Sequence, residues 1–515
     1  MDSRDKKQSP FSLLARKAQV VAGATFISRI LGFARDLIIA FTLGAGPLAD
    51  AFFVAFRIPN LLRRLFAEGS LTMAFVPVFT KIKNAQGELA AFVLARSVQI
   101  WLLIILGGIS VLALVFASPL TMLVAPGFRD DPELFQDAVT LVRICFPYIL
   151  FISSVALCMG ILNSMNHFLA PALAPGLMNV VLILFALGGY FSGANVAIAL
   201  SLGVLVAGFF QWAFQYPFLK RFGFSWKGKF SLKDPGVLRI GKLMLPTVLG
   251  AAVYQLNILA GTILASFLAS GSIAYLYYAD RLVQFPLGVF AVAISTAALP
   301  SLSALAGDDK ISDFKQTLNS SLCLTLFIAL PSTAGLIGLN YPLIDVIFGR
   351  GEFGAQAVDA TALALVGFAV GLPAFSCVRP LISAFYALED TVTPVKMAII
   401  SLVLNVLLGI VLMQYLQHFG LALAASLSSW VNVLLLGCAL SRKIGTWLTS
   451  KSDLGKMLLL SCALLLLLKF VNVDSWMALG LIPLCAALYF TASVMLKIPE
   501  AKMLLKTWTK SNKQT

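Results

Sequence analysis

Runs of 18 or more predominantly apolar residues recur from Val20 to the neighbourhood of Met495, separated only by short charged or Gly/Pro-rich breaks. A run of that length is what a helix needs to cross the hydrocarbon core of a bilayer. Hydrocarbon offers peptide groups no water, so each such segment must be a helix that pairs its own backbone donors and acceptors. Composition agrees. Of the 515 residues, 59% are hydrophobic and 12% charged, about half the charged share of a soluble domain, and the mean hydropathy is +0.92. The expected fold class is all-α and integral to a membrane.

The breaks mark fourteen transmembrane helices, near 20–43, 49–80, 90–122, 134–162, 169–191, 195–219, 243–268, 272–304, 317–347, 357–388, 393–414, 419–440, 455–472 and 476–496. Basic residues crowd one set of loops: Lys81 and Lys83; Lys220, Arg221, Lys227, Lys229, Lys233 and Arg239; Arg442, Lys443 and Lys451; Lys502, Lys506, Lys510 and Lys513. The positive-inside rule assigns that set, and with it both termini, to the cytoplasm. The polar segment 1–19 is expected to be retained ahead of the first helix, because the following span is too long for a signal peptide. The net charge of +15 is then topological. It lies in short membrane-flanking loops without a nucleic-acid-binding module, and the 220–242 loop suits anionic membrane lipids.

Little in the chain favours an enzyme. His167 and His418 lie in separate loops, the seven cysteines form no C-x-x-C pair and read as reduced core residues, and no Walker motif is present. The glycines at 349, 351 and 354 follow no strand, and the acid pairs Asp130-Asp131 and Asp308-Asp309 read as solvated turns. No metal and no cofactor are expected.

A repeat runs through the chain at an offset of about 223 residues: Ala55-Phe56-Arg57 with Ala279-Asp280-Arg281, Ala74 to Pro77 with Ala297 to Pro300, Pro119-Leu120 with Pro342-Leu343, and Pro171 with Pro394. It predicts a six-helix lobe over 1–223 and a second over 224–446. Two additional transmembrane helices and a basic cytoplasmic tail fill 447–515. An even number of helices per lobe gives both the same orientation, related by a pseudo-two-fold along the membrane normal.

The strongest functional signal is charge within apolar spans. Arg29 lies about nine residues into the first predicted span, roughly 14 Å along a helix, followed by Arg35 and Asp36; the second span holds Asp50, Arg57, Arg63, Arg64 and Glu68 around Pro59. Asp50, Arg57 and Arg64 share a face of a regular helix, with the proline disturbing the phase beyond Arg57. Each charge at bilayer depth costs at least about 2.5–3.5 kcal/mol, so it faces a partner or a wet cavity. With Arg281 and Asp280, basic groups outnumber acids, and guanidinium forks bind phosphate bidentately. Arg143 and Arg379 are single arginines that line a cavity or pair helices; Gln255, Asn257, Ser428, Ser429 and Asn432 read as helix-to-helix hydrogen bonds, and Lys469 as a snorkelling residue.

Two stretches carry a family resemblance: Ser28-Arg29-Ile30-Leu31-Gly32-Phe33-Ala34-Arg35-Asp36, and the block from Asp50-Ala51-Phe52-Phe53 through Arg57-Ile58-Pro59-Asn60-Leu61-Leu62-Arg63-Arg64 to Glu68-Gly69. Tyr277 to Leu282 and Asp390 to Pro394 are similar as well. The chain resembles the MurJ (MviN) family of lipid II flippases in the MOP exporter superfamily, over its whole length. The resemblance implies transport of undecaprenyl-pyrophosphate-disaccharide-pentapeptide, lipid II, from the cytoplasmic to the periplasmic leaflet of the bacterial inner membrane for peptidoglycan synthesis. The required arginines would be Arg29, Arg35, Arg63 and Arg281, with Asp36 and Asp50 as acidic neighbours; Arg57 and Arg64 join the substrate-binding set from the charge pattern alone. It also implies a monomeric transporter, with cell-wall synthesis machinery as a candidate partner. The sequence departs from some relatives in span 243–268, which lacks the carboxylate of their sodium site, and at Gln284, where a glutamate can stand. The alternatives are an exporter of another lipid-linked oligosaccharide, or of drugs, on the same superfold; a membrane enzyme acting on lipid-linked sugars; and a non-transporting scaffold.

Overall fold

The computed structural model describes residues 10–64, 70–307, 310–447, 451–471 and 474–511, and among these there is no strand. The chain forms two compact units, 1–263 and 264–515. The first holds α1 (Pro10–Leu43), α2 (Pro47–Leu62), α3 (Thr72–Gln86), α4 (Glu88–Val115), α5 (Ala117–Val124), α6 (Pro132–Cys145), α7 (Tyr148–Ser164), α8 (Leu169–Ser192), α9 (Val196–Arg221) and most of α10 (Pro235–Ala265). The second holds α11 (Ser272–Pro286), α12 (Val292–Ala304), α13 (Ile311–Gly338), α14 (Asn340–Phe348), α15 (Ala355–Ala369), α16 (Leu372–Ala387), α17 (Val392–Ile444), α18 (Lys451–Phe470), α19 (Ser475–Met495) and α20 (Pro499–Ser511).

Eight helical stretches among the described residues are long and apolar enough to cross a membrane, and a ninth results if α15 and α16, bent by 41°, count as one. The 53 residues of α17 would run about 80 Å if straight, far more than a bilayer requires. Gln417 breaks it with φ 49° and ψ −132°. The two halves fold back on each other, with the Ser401 hydroxyl donating to the Ser428 carbonyl at 2.8 Å.

Lipid is as apolar as leucine, so the hydrophobic effect does little to join helices inside it, and close packing does the work instead. Glycines make that approach possible: a Cβ on Gly160 would lie 2.9 Å from Phe75 Cδ1, and one on Gly208 would lie 2.8 Å from Tyr148 Cδ2. In the first unit, Phe75, Phe79, Phe92, Leu157, Ile161 and Phe224 form a buried cluster of α3, α4, α7 and the segment after α9. In the second, Leu318, Leu381, Phe385 and Leu440 join α13, α16 and α17. Both α18 and α19 pack on the α13–α14 side through Leu339, Leu343, Leu464 and Leu468. The basic tail contains a helix, α20, seated on Phe327, Met457 and Tyr489 through Ile498 and Ala501.

Helix breaks recur at the repeat offset. Phe116 ends α4 and Leu339 ends α13; positive φ occurs at Asn166 and Glu389, at Gly193 and Gln417, and at Gly223 and Gly445. Each pair is 222 to 224 residues apart. Backbone of π form recurs too, at 63–64 and 70–71 and over Leu287–Ala291.

The span expected at 20–43 lies within α1, which begins ahead of it at Pro10. One expectation needs correction. Five cysteines are buried, but Cys438 and Cys462 are exposed, because on a lipid-covered chain an apolar residue need not face the protein interior. Lys469 is exposed near the end of α18.

Candidate functional site: arginines in the apolar helices

Arg35 and Asp36 sit side by side on α1, where it packs on α8. Asp36 Oδ1 accepts from Arg35 Nη2 at 2.6 Å and from Nε at 3.0 Å. Nη1 donates to Asn179 Oδ1 of α8 at 3.0 Å, and Asn179 Nδ2 donates in turn to the Ser28 carbonyl at 3.1 Å. One amide therefore ties α1 to α8 and fixes the guanidinium. The approach is close enough that a Cβ on Gly32 would lie 3.5 Å from Asn179 Nδ2. The Asp36 side chain is 4% exposed and that of Arg35 14%.

Asp50 occupies the first turn of α2 and is buried, where the positive end of the helix dipole favours its charge. Arg57, two turns on, is half-buried. The shared face predicted for Asp50, Arg57 and Arg64 holds to Arg57 and then loses phase, since residues 63 and 64 take π-form backbone beyond Pro59. At this junction Arg63 donates from Nε and Nη2 to Asn60 Oδ1, at 3.0 and 2.8 Å. Its electrostatic neighbours are Tyr148, Arg64 and Arg35. Arg35 and Arg64 thus lie within electrostatic reach of Arg63, and Asp36 is bonded to Arg35. Tyr148 is fully buried at the start of α7, and its hydroxyl donates to Met178 Sδ at 3.5 Å. Arg29 is exposed on α1.

In the second unit, Arg281 of α11 donates from Nη2 to the Tyr277 hydroxyl at 2.9 Å, with its Cζ 4.5 Å from the centre of that ring. Gln284 Nε2 donates to Asp280 Oδ1 at 3.3 Å, so the amide that stands where a glutamate can occur is used to hold an acid. Arg143 and Arg379 are exposed. On α10, Gln255 and Thr262 are buried. Glu68 and the Asp308-Asp309 pair lie outside the described residues. His167 stacks on Phe218 at 5.1 Å, and His418 Nε2 lies 2.9 Å from the Ala360 carbonyl; among the described residues no His, Cys, Asp and Glu grouping is suited to a metal.

Asn60 and Tyr277 enter the sequence reading only inside the family-like stretches, with no role of their own, and Asn179 and Tyr148 do not enter it. Asn60 and Tyr277 are one helical turn before the arginines they hold and could have been found from spacing. Asn179 is 144 residues from Arg35, and no local signal leads to it.

Arginines set among apolar helices, in a chain with eight described stretches long and apolar enough to cross a membrane and dozens of large hydrophobic side chains on its surface, define a multi-pass α-helical membrane protein. The family model described as lipid II flippase MurJ matches residues 39–489. Among curated relatives, a probable lipid II flippase MurJ of Buchnera aphidicola subsp. Acyrthosiphon pisum is 40% identical over 82% of this chain and 81% of its own. One from Vibrio cholerae is 37% identical over 82% of each. A solved structure of lipid II flippase MurJ in an inward closed conformation superposes with a TM-score of 0.80 at 29% identity, covering 92% of this chain and 98% of that one. An inward-facing multidrug resistance MATE transporter of the MOP superfamily superposes with a TM-score of 0.66 at 15% identity, over 88% of this chain and 100% of that one, which is a likeness of fold. The chain belongs to the lipid II flippase MurJ family, whose members are transporters and not enzymes.

Proposed function

We propose that the chain moves lipid II from the cytoplasmic to the periplasmic leaflet of the bacterial inner membrane, supplying peptidoglycan synthesis. The observation that carries this reading is family membership across residues 39–489. The grouping of Arg63 with Arg64 and Arg35 supports it chemically, because a pyrophosphate presents several anionic oxygens and a guanidinium fork binds two at a time. Arg29, Arg57 and Arg281 complete the anion-binding set, and Asp36 and Asp50 hold and tune it.

Transport proceeds by alternating access: the arginines capture the pyrophosphate from the cytoplasmic side, the lobes rock, and the headgroup leaves outward while the polyprenyl tail stays in lipid. The lobes are 1–223 and 224–446 within a fourteen-helix chain whose termini are both cytoplasmic, followed by the helices and tail of 447–515. The matched helix breaks at the repeat offset favour a pseudo-two-fold between them. An inside-negative potential contributes about 2.3 kcal/mol per charge per 100 mV toward outward movement of an anionic headgroup. The transporter acts as a monomer, and cell-wall synthesis enzymes are its candidate partners.

Depletion followed by a leaflet-specific assay of lipid II tests the activity: the precursor should accumulate on the cytoplasmic side, and unchanged arrival outside overturns the reading. Alanine at Arg29, Arg35, Arg63 or Arg281 should abolish growth support while the protein remains inserted. Export of cationic drugs on the same fold calls for an acidic site, which the arginine grouping opposes; unaltered drug susceptibility on depletion separates the two.

A further inference from the structure

The segment between α9 and α10 is pinned across α4. Phe224 is fully buried, its ring edge-on to Phe92 of α4 at 5.3 Å and to Trp226 at 4.8 Å. Arg96 of α4 donates from Nε to the Lys229 carbonyl at 2.7 Å and from Nη1 to the Ser225 carbonyl at 3.0 Å. Trp101 Nε1 donates to the Leu232 carbonyl at 3.0 Å, and the Ser231 N–H donates to Ser97 Oγ at 2.9 Å. A side chain at Gly228 would be strained at its φ of +153°, and its Cβ, 2.8 Å from Arg96 Cζ, would push the guanidinium off the strap. Residues 225–233 therefore form a strap whose backbone is set by α4.

Its outer side combines two chemistries. Lys227, Lys229 and Lys233 are exposed, and between them Phe230 is 51% and Leu232 49% exposed. The adjoining acid, Asp234, accepts from the Gly236 N–H at 2.8 Å and so serves the turn into α10. Exposed Leu238, Arg239, Lys242 and Leu243 continue the pattern along α10. A phenylalanine and a leucine held open among lysines are costly in water. They are stable where apolar side chains enter the acyl boundary and ammonium groups stay among headgroups. The depth fits: Leu103, Ile104 and Ile105 begin a lipid-facing exposed stretch of α4 directly after Trp101, a residue type that favours the membrane interface.

We propose that the strap at 225–233 is a preformed binding plate for the anionic phospholipids of the leaflet it meets. Lys227, Lys229 and Lys233 engage lipid phosphates, and Phe230 and Leu232 dip beneath them. Because α4 already holds the backbone, binding requires little further ordering of the loop. Each lysine near an anionic surface is worth roughly fivefold in affinity, so the three together contribute on the order of 100-fold. This surface is separate from the transport arginines, and its failure leaves the proposed flippase activity untouched.

The test uses the full chain. Native mass spectrometry in detergent compares retention of phosphatidylglycerol with phosphatidylcholine for the wild type, for the combined variant K227Q/K229Q/K233Q, and for Gly228→Ala, which alters no charge. The wild type should prefer phosphatidylglycerol, the lysine variant should lose that preference on the order of 100-fold, and Gly228→Ala should lose part of it with every lysine in place. A fluorophore at Phe230→Cys, with Cys438 and Cys462 replaced by alanine, should be quenched by spin-labelled lipid in phosphatidylglycerol vesicles. Equal lipid retention by the wild type and the lysine variant, or quenching of the fluorophore by aqueous iodide instead, overturns the plate. Wild-type retention by Gly228→Ala overturns its preformed character. Should Gly228→Ala melt early, the lysine variant still decides.

Discussion

Replacing Arg63 with lysine is a sharper test of the arginine site than replacing it with alanine, because lysine keeps the charge and discards the fork. Arg63 turns Nε and Nη2 together onto Asn60 Oδ1, at 3.0 and 2.8 Å, so α2 sets the plane of the guanidinium from one turn back. An ammonium has no plane to set and cannot give two parallel bonds to neighbouring phosphate oxygens. A hydrogen bond from a charged donor contributes about 1.5–3 kcal/mol. Losing one such bond with the charge retained should weaken lipid II binding on the order of 10- to 150-fold. Alanine removes the charge as well and should weaken it further. The assay is the Kd of purified variants for lipid II, alongside growth complementation in a strain depleted of the resident protein. Lysine binding as tightly as arginine refutes the fork argument. Alanine binding as tightly refutes the site.

Three further outcomes are expected. Asp390 is part-buried, which raises its pKa, but the Lys443 ammonium and the N–H and hydroxyl of Thr393 outweigh burial and hold the carboxyl well below the usual carboxylate range. Its stabilisation is complete above the ordinary value of about 3.9 and is lost as pH falls through the lowered one, so Asp390→Asn should melt below wild type at pH 7, with the gap closing under acid. Burial, and then the nearby Arg221, lower the pKa of His167; its neutral ring stabilises the fold fully above about pH 6.5 and less as pH drops, so His167→Phe should flatten the fall in Tm between pH 7 and pH 5. Gly208→Ala drives a methyl to 2.8 Å from Tyr148 Cδ2 and 2.9 Å from Phe151 Cβ, an overpacking cost of about 1–3 kcal/mol. Its Tm should drop, whereas Gly107→Ala, with nothing within 4 Å, should melt like wild type.

The membrane class was legible because hydrophobicity is written continuously along the chain, and the charged residues of the first two spans stood out against that background. Helix interruptions were harder to read. Pro59 announced one in α2 and the polar stretch between the spans 393–414 and 419–440 announced the turn at Gln417, but the span read as 90–122 runs straight through the break at Phe116, which only Pro119 hints at. Partners followed sequence distance: Asn60 was within reach of a spacing argument, and Asn179 was not. Two of the seven cysteines misled for a physical reason. Sequence reports apolar character without saying whether protein or lipid will cover it, and Cys438 and Cys462 face outward. The helix α20 was concealed by its lysines, which made a docked segment look like a solvated tail.

The π-form backbone at residues 63–64 and at Leu287–Ala291 gives these helices a freedom that ordinary ones lack. A π turn accommodates one surplus residue, and that surplus can be handed along the helix as each carbonyl trades one donor for the next. The helix thus changes direction while its peptide groups stay bonded, which matters in hydrocarbon, where a broken bond finds no water. Arg63 and Arg64 themselves carry π-form backbone, and Arg281 lies in the helix leading to the other stretch. The cations are mounted beside the places where the helix changes its register.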